Sequence, residues 1–206
     1  MTVKESYHHG NLRQALIDAG VALARAGGPE AIGLREASRR AGVSHNAAYG
    51  HFADRSSLVA AVADRCMQEL GLLMRRRTQG IAESDPAAGA GARLNALGRA
   101  YVDFARDEPG WFRTAFGAPP AHTAHDRLEA AALPEGHPFR QLNDALDDLV
   151  TSGVLPSSRR PGAEYAAWSA VHGFAGLLLD GPLHDMPPSQ ADQALTVVLD
   201  VVSRGL

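Results

Sequence analysis

Residues 34–52 read LREASRRAGVSHNAAYGHF, and the punctuation of this stretch decides the fold. Leu34 to Ala41 has helical spacing, Ala41-Gly42-Val43 breaks it, and Ser44 stands where it can cap a second short helix beginning at His45. A serine at that place accepts a hydrogen bond from a first-turn N–H that the helix itself leaves unpaired. Gly42 tolerates the positive φ that such a turn commonly needs. Two short helices joined by a three- or four-residue turn containing glycine make a helix-turn-helix, whose second helix enters the major groove of DNA.

Working outward toward the N-terminus, Asn11 to Ala26 places Leu12, Leu16, Ala19 and Leu23 on one face and Ile17, Val21 and Ala24 on another. This predicts a helix packed on more than one side and stopped by Gly27-Gly28-Pro29. Lys4, His8, His9 and Arg13 lie at or before its start, as a basic arm for the DNA backbone or as a solvated terminus. Toward the C-terminus, residues 56–78 predict a long helix with Leu58, Val59, Val62, Cys66, Leu70 and Leu73 inward. Arg75-Arg76-Arg77 then sits near the negative end of its dipole. Residues 80–91, GIAESDPAAGAG, read as a linker.

Beyond it, helices are expected at residues 92–106, from Pro109, at residues 138–151, at 163–180 and at 189–204. Ser189-x-x-Asp192 has the spacing of a capping box for the last of them. Residues 117–137 read as a long loop with a helical turn near residues 127–132. No alternating β pattern persists, so the expected fold is all-α. Its N-terminal three-helix helix-turn-helix domain is expected at residues 1–54. A larger helical ligand-binding and dimerisation domain follows at 55–206, joined to it by the long helix at about 56–78.

Composition narrows the function. The 206 residues are 45% hydrophobic and 21% charged, ordinary for a globular chain. No apolar run approaches the ~18 residues of a membrane span, and the N-terminus lacks a signal-peptide core. With one cysteine, Cys66, no internal disulfide can form. The chain is therefore expected to be cytoplasmic, without a membrane partner. Its net charge of −3 conceals an asymmetry: residues 1–79 carry 11 Lys+Arg against 7 Asp+Glu, and residues 80–206 carry 9 against 16. A basic head on an acidic body attracts phosphate at one end only.

Taken together, residues 12–26 followed by LREASRRAGVSHNAAYGHFADRSSLVAAVA resemble the N-terminal domain of TetR-family transcriptional repressors, over about residues 8–65. AAWSAVHGFAGLLLDG, with Trp168, His172 and Gly173, resembles the WHG-type ligand-binding domain of one branch of that family. The resemblance implies a homodimer that binds a palindromic operator and is released by a small apolar or amphipathic molecule. It places Tyr49 and His51 at phosphate-holding positions, and Arg55, where Lys is usual, at a phosphate contact. Ser44, His45 and Asn46 lead the recognition helix, where Asn46 can read adenine through a paired donor and acceptor. Gly33, Ala47 and Gly50 replace residues that often contact DNA in the family, which shifts weight to Arg35. Arg39 and Arg40 read equally as contacts or as a solvated face.

For the second domain, Trp111, Phe112, Phe116, Phe139, Leu142, Leu146, Trp168, His172 and Phe174 are the expected pocket lining. A filled core is the plainer reading for any one of them, and His172 reads equally as a core histidine. Leu177, Leu178, Leu195, Val198, Leu199 and Val202 are the expected dimer interface, through the last two helices of each chain in a four-helix bundle. No catalytic residue, cofactor or metal is expected. His122-x-x-His125 beside Asp126 is the best metal spacing and lacks a further clustered ligand. The competing readings are a helical enzyme using His172 with Asp180, and a DNA-binding regulator without a ligand.

Overall fold

The computed structural model of the chain describes residues 9–81, 84–117 and 133–206. Among the described residues the regular structure is entirely helical. The helices are α1 (His9–Gly27), α2 (Leu34–Arg40), α3 (His45–Tyr49), α4 (Arg55–Thr78) and α5 (Pro86–Asp107). They continue with α6 (Pro109–Gly117), α7 (Pro138–Thr151), α8 (Ala163–Leu179) and α9 (Pro188–Gly205). Short 3-10 turns occupy Pro29–Ala31 and Ser157–Arg159. Two expectations, the basic arm at Lys4 and His8 and the helical turn near residues 127–132, lie outside the described residues.

The all-α expectation holds. The chain forms two compact units, and the division falls at Met67, inside α4. The first unit contains α1, α2, α3, the first half of α4 and, from a distant part of the chain, α6. Its core is Leu16, Ile17, Leu23, Ile32, Leu34, Ala48, Phe52, Leu58, Val62 and Cys66. Each fully buried leucine there contributes roughly 2 kcal/mol of apolar transfer free energy. Trp111, Ala115 and Phe116 of α6 pack against the same core.

A division at residue 54 therefore does not describe the packing. The α4 residues that close the first core lie beyond residue 54, and α6 returns to cover it. Gly110 permits the approach of α6 to α1. A Cβ there would stand 2.8 Å from the Arg25 carbonyl oxygen and closer still to that of Ala24. Trp111 Nε1–H donates to the Val21 carbonyl at 2.9 Å, and Arg25 pairs with Glu108 while lying over the indole ring.

In the second unit, α5 packs against α7, α8 and α9. Leu94, Leu97, Val102 and Phe104 of α5, Leu146 and Leu149 of α7, Phe174 of α8 and Leu195 of α9 are all buried in this unit. The linker read at residues 80–91 is shorter than its composition suggested. Pro86 begins α5, where a missing N–H costs nothing. Asp85 Oδ1 accepts from the Ala87 N–H at 3.0 Å, and Gly89 and Ala90 are buried. The capping box is also corrected. Ser189 lies inside α9, whose start is set by Pro187 and Pro188 without a side-chain cap, and Asp192 pairs with Arg106 of α5.

Candidate nucleic-acid interface

The turn between α2 and α3 is built as the sequence requires. Gly42 has φ +69°, its N–H donates to Arg39 O, and the Val43 N–H donates to Ser38 O at 3.0 Å. Ser44 is the N-cap of α3, its Oγ accepting from the Ala47 N–H at 3.2 Å. Buried Ala48 fixes the inner face of α3 on the core. The outer face carries Ser44, His45, Asn46 and Tyr49, all exposed, with Tyr49 51% accessible. The His45 and Tyr49 rings meet edge-on at 4.9 Å, which limits the rotamers both can use.

Around this face, His51 is half-buried and Arg35 is exposed on α2. Phe52 is core, with the Arg13 guanidinium 5.2 Å over its ring. The Arg55 fork has a structural task that spacing did not reveal. Its Nε donates to Ile32 O at 2.8 Å and one Nη donates to Pro29 O at 2.7 Å. Those bonds tie the first residue of α4 to the loop before α2, and only the remaining N–H groups are left for a phosphate. Arg39 and Arg40 both bond Glu36, and their hydrogen bonds, Arg39's foremost, hold its carboxyl down at about 2.

The residues expected to line a pocket divide between the units. Trp111, Phe112 and Phe116 belong to the first, and Trp111 and Phe116 are held on its core, which corrects their grouping with the others. Phe139, Leu142, Leu146, Trp168, His172 and Phe174 belong to the second. There Leu146 and Phe174 are buried, Leu142 is half-buried, and the Phe139 and Trp168 rings lie 5.5 Å apart.

Sequence reasoning missed Tyr101 of α5. Its hydroxyl lies 2.7 Å from His172 Nδ1 and accepts from Trp168 Nε1–H at 3.2 Å. The indole can only donate, so the Tyr101 oxygen accepts from Trp168 while it shares a second hydrogen bond with His172 Nδ1. Burial pushes the Tyr101 phenol up and the His172 imidazolium down, so both are neutral near pH 7. Because 71 residues separate the partners, no local spacing could have found the pair.

This pairing makes a pH prediction. An unfolded histidine has the ordinary value of 6.5, and the folded one is lower. The folded form therefore keeps its full advantage above 6.5. Stability is lost as pH falls below that value, because the unfolded chain takes a proton the fold resists. The urea midpoint should drop between about pH 7 and pH 5.5, and His172→Gln should shrink that drop. Equal drops in both proteins would refute the assignment.

The expected dimer residues are also re-sorted. Leu178, Leu195 and Leu199 face the chain's own interior, the last two at 2% and 4% exposure. Val198 and Val202 are half-buried. The outward apolar positions are Leu177 on α8, at 43%, and Val197 and Val201 on α9, at 61% and 60%. Among the described residues no group of His, Cys, Asp or Glu could hold a metal, and His122, His125 and Asp126 lie outside them. No helix of the described residues is long and apolar enough to cross a membrane.

A capped, outward-facing α3 set by a glycine turn on the core of the first unit defines the class: a helix-turn-helix regulator that binds DNA. Comparison with known proteins agrees. Residues 16–62 match the model of bacterial regulatory proteins of the tetR family, and residues 94–202 match that of the tetracyclin repressor-like C-terminal domain. The chain belongs to the TetR family of transcriptional regulators.

Among solved structures, a protein of unknown function from Rhodococcus sp. RHA1 is 28% identical, with 98% of this chain and 99% of that one covered and a TM-score of 0.75. The TetR family transcriptional regulator PfmR from Thermus thermophilus is 20% identical, with coverage of 93% and 98% and a TM-score of 0.57. The transcriptional regulator FadR from Bacillus subtilis, solved in complex with stearoyl-CoA, is 14% identical, with coverage of 94% and 98% and a TM-score of 0.67. The last two likenesses concern the fold alone. No match was found among curated proteins.

Proposed function

We propose that this chain is a homodimeric, cytoplasmic repressor of a palindromic operator, released by a small apolar or amphipathic effector. The observation that carries the reading is the exposed face of α3, where His45, Asn46 and Tyr49 stand beyond a serine cap. Asn46 reads bases, Tyr49 and His51 hold phosphate, and Ser44 and Arg35 flank them. Arg55 contributes through the donors its structural bonds leave over. Two such heads on a two-fold axis would meet successive major grooves ~34–36 Å apart. Selection of bound duplexes from random DNA at fixed salt tests this directly. Recovery of a palindrome supports the reading, and recovery of no enriched sequence sinks it.

Substitutions at the interface should separate two kinds of contact. Tyr49→Phe and His51→Ala should weaken binding to every duplex alike. Asn46→Ala should relax preference at particular bases, by about 1–3 kcal/mol per base pair read. Unchanged binding in all three would remove these residues from the site.

For the effector, the supporting feature is the aromatic group in the second unit: Phe139, Trp168 and His172, with Tyr101 at its polar edge. Ligand binding there favours a conformer unsuited to the operator, and DNA must then weaken ligand by the same factor. Equal ligand affinity for the free and operator-bound protein would exclude this coupling. A second reading keeps DNA binding without an effector, and the buried packing of Leu146 and Phe174 favours it. The hydrolytic alternative is not supported, since His172 Nδ1 faces the Tyr101 hydroxyl and the family is one of regulators.

A further inference from the structure

The surface of α2 carries an arrangement that DNA binding alone does not require. Glu36 receives Arg39 in a two-point fork, Nε on Oε2 at 2.9 Å and Nη2 on Oε1 at 2.7 Å. Arg40 Nε reaches the same Oε1 at 3.0 Å. One carboxylate thus holds both guanidiniums of the last turn of α2, one residue before the turn that leads into α3. The two arginines remain solvent-facing, with 72% and 40% of their side chains exposed.

Paired charges at such exposure contribute little to stability, so a purely structural account of the triad is thin. A forked guanidinium–carboxylate pair has the same geometry as a guanidinium on a phosphate. We propose that Glu36 is an internal competitor that sets how tightly this head holds the DNA backbone. It stands in for a DNA phosphate, occupies Arg39 and Arg40, and must be displaced before either can reach the backbone.

The consequence follows from how DNA is held. Binding to random sequence rests almost wholly on neutralised phosphates. Binding to an operator adds base contacts that phosphate competition leaves intact. An internal competitor for two cations therefore lowers affinity for both duplexes, and leaves the operator complex held by its base contacts where random binding has nothing else to rely on. Glu36 stays ionised far below neutral pH, so ordinary acidification leaves the competitor in place.

This inference rests on the DNA-binding reading, and its test separates the two. Affinity is measured against salt for a selected palindrome and a scrambled duplex, using wild type, Glu36→Gln, and Glu36→Gln combined with Arg39→Ala and Arg40→Ala. All three positions are exposed or half-buried on α2, and far-UV circular dichroism confirms that each variant folds.

Glu36→Gln should bind the scrambled duplex more tightly at low salt. Its log–log salt slope should steepen by about 1.8 per head, about 0.9 for each released guanidinium, so that going from about 50 to about 200 mM salt costs it roughly tenfold more than wild type per head, and on the order of a hundredfold more for a dimer with both heads engaged. The palindrome should gain by a similar factor, and the arginine substitutions should abolish both gains. An unchanged slope, or a gain that survives loss of both arginines, overturns the proposal. Wild-type protein that binds neither duplex overturns the DNA-binding reading itself, before any variant is compared.

Discussion

Gly110→Ala is expected to be the most destabilising single methyl that can be added to the first unit. The new Cβ would be driven into the carbonyls of Ala24 and Arg25, which are backbone and cannot rotate away. Relief requires α6 to lift from α1, loosening the Trp111 bond to Val21 and the Arg25–Glu108 pair together. Overpacking of this kind costs about 3 kcal/mol. For a chain of this size that is a fall of about 6–12 °C in Tm. Gly117→Ala is the matched control, because a Cβ at Gly117 meets no atom within 4 Å. Differential scanning calorimetry of both should show the loss for Gly110 alone. Equal melting of the two variants would mean that α6 does not bind α1 as described.

Val197→Asp combined with Val201→Asp should have the largest effect on function while leaving the fold intact. Both side chains lie on the outward face of α9, one helical turn apart and mostly exposed in the single chain. As exposed positions they should alter chain stability by no more than about 0.5 kcal/mol each. In an isologous dimer each aspartate lies against the same patch of the partner, so the like charges accumulate across the axis. Sedimentation should show a monomer, and affinity for the palindrome should fall by about 10²–10⁴ as the second head ceases to be held near the DNA. Leu195→Asp is the informative contrast, since Leu195 faces the interior and its replacement should unfold the second unit. A double aspartate variant that remains dimeric would place the interface elsewhere.

These two cases show where the sequence was legible. Helix limits from α1 to α4, and again at α7 and α8, follow from signals within a few residues. Examples are Gly28-Pro29 after α1, Ser44 before α3 and the apolar period of α7. The start of α5 was missed because an Ala-Gly-Pro composition resembles a linker, and only the burial of Gly89 and Ala90 against other helices makes it a helix. On α9 two faces are apolar, Leu195 with Leu199 and Val197 with Val201. Periodicity finds both without saying which one the chain keeps for itself.

The site residues divide the same way. The exposure of Ser44, His45, Asn46 and Tyr49 was readable because a cap and a turn fix which way a five-residue helix presents them. The structural task of Arg55 was not legible because its acceptors, Ile32 O and Pro29 O, are backbone atoms, on which side-chain identity carries no information. Tyr101 and His172 meet across 71 residues. The place of Trp111 and Phe116 on the first core depends on a return of the chain that no local pattern announces.

The return of α6 to the first unit also sets an order of events during synthesis. A nascent chain that has released everything up to Met67 has all the residues proposed to face DNA, yet lacks the helix that covers their core. The reader can close only after α5, which belongs to the other unit, has left the ribosome. A gene fusion that exchanges heads between two relatives must therefore carry Glu108–Gly117 along with the amino-terminal segment. Otherwise it grafts a reading helix onto a core with one wall missing.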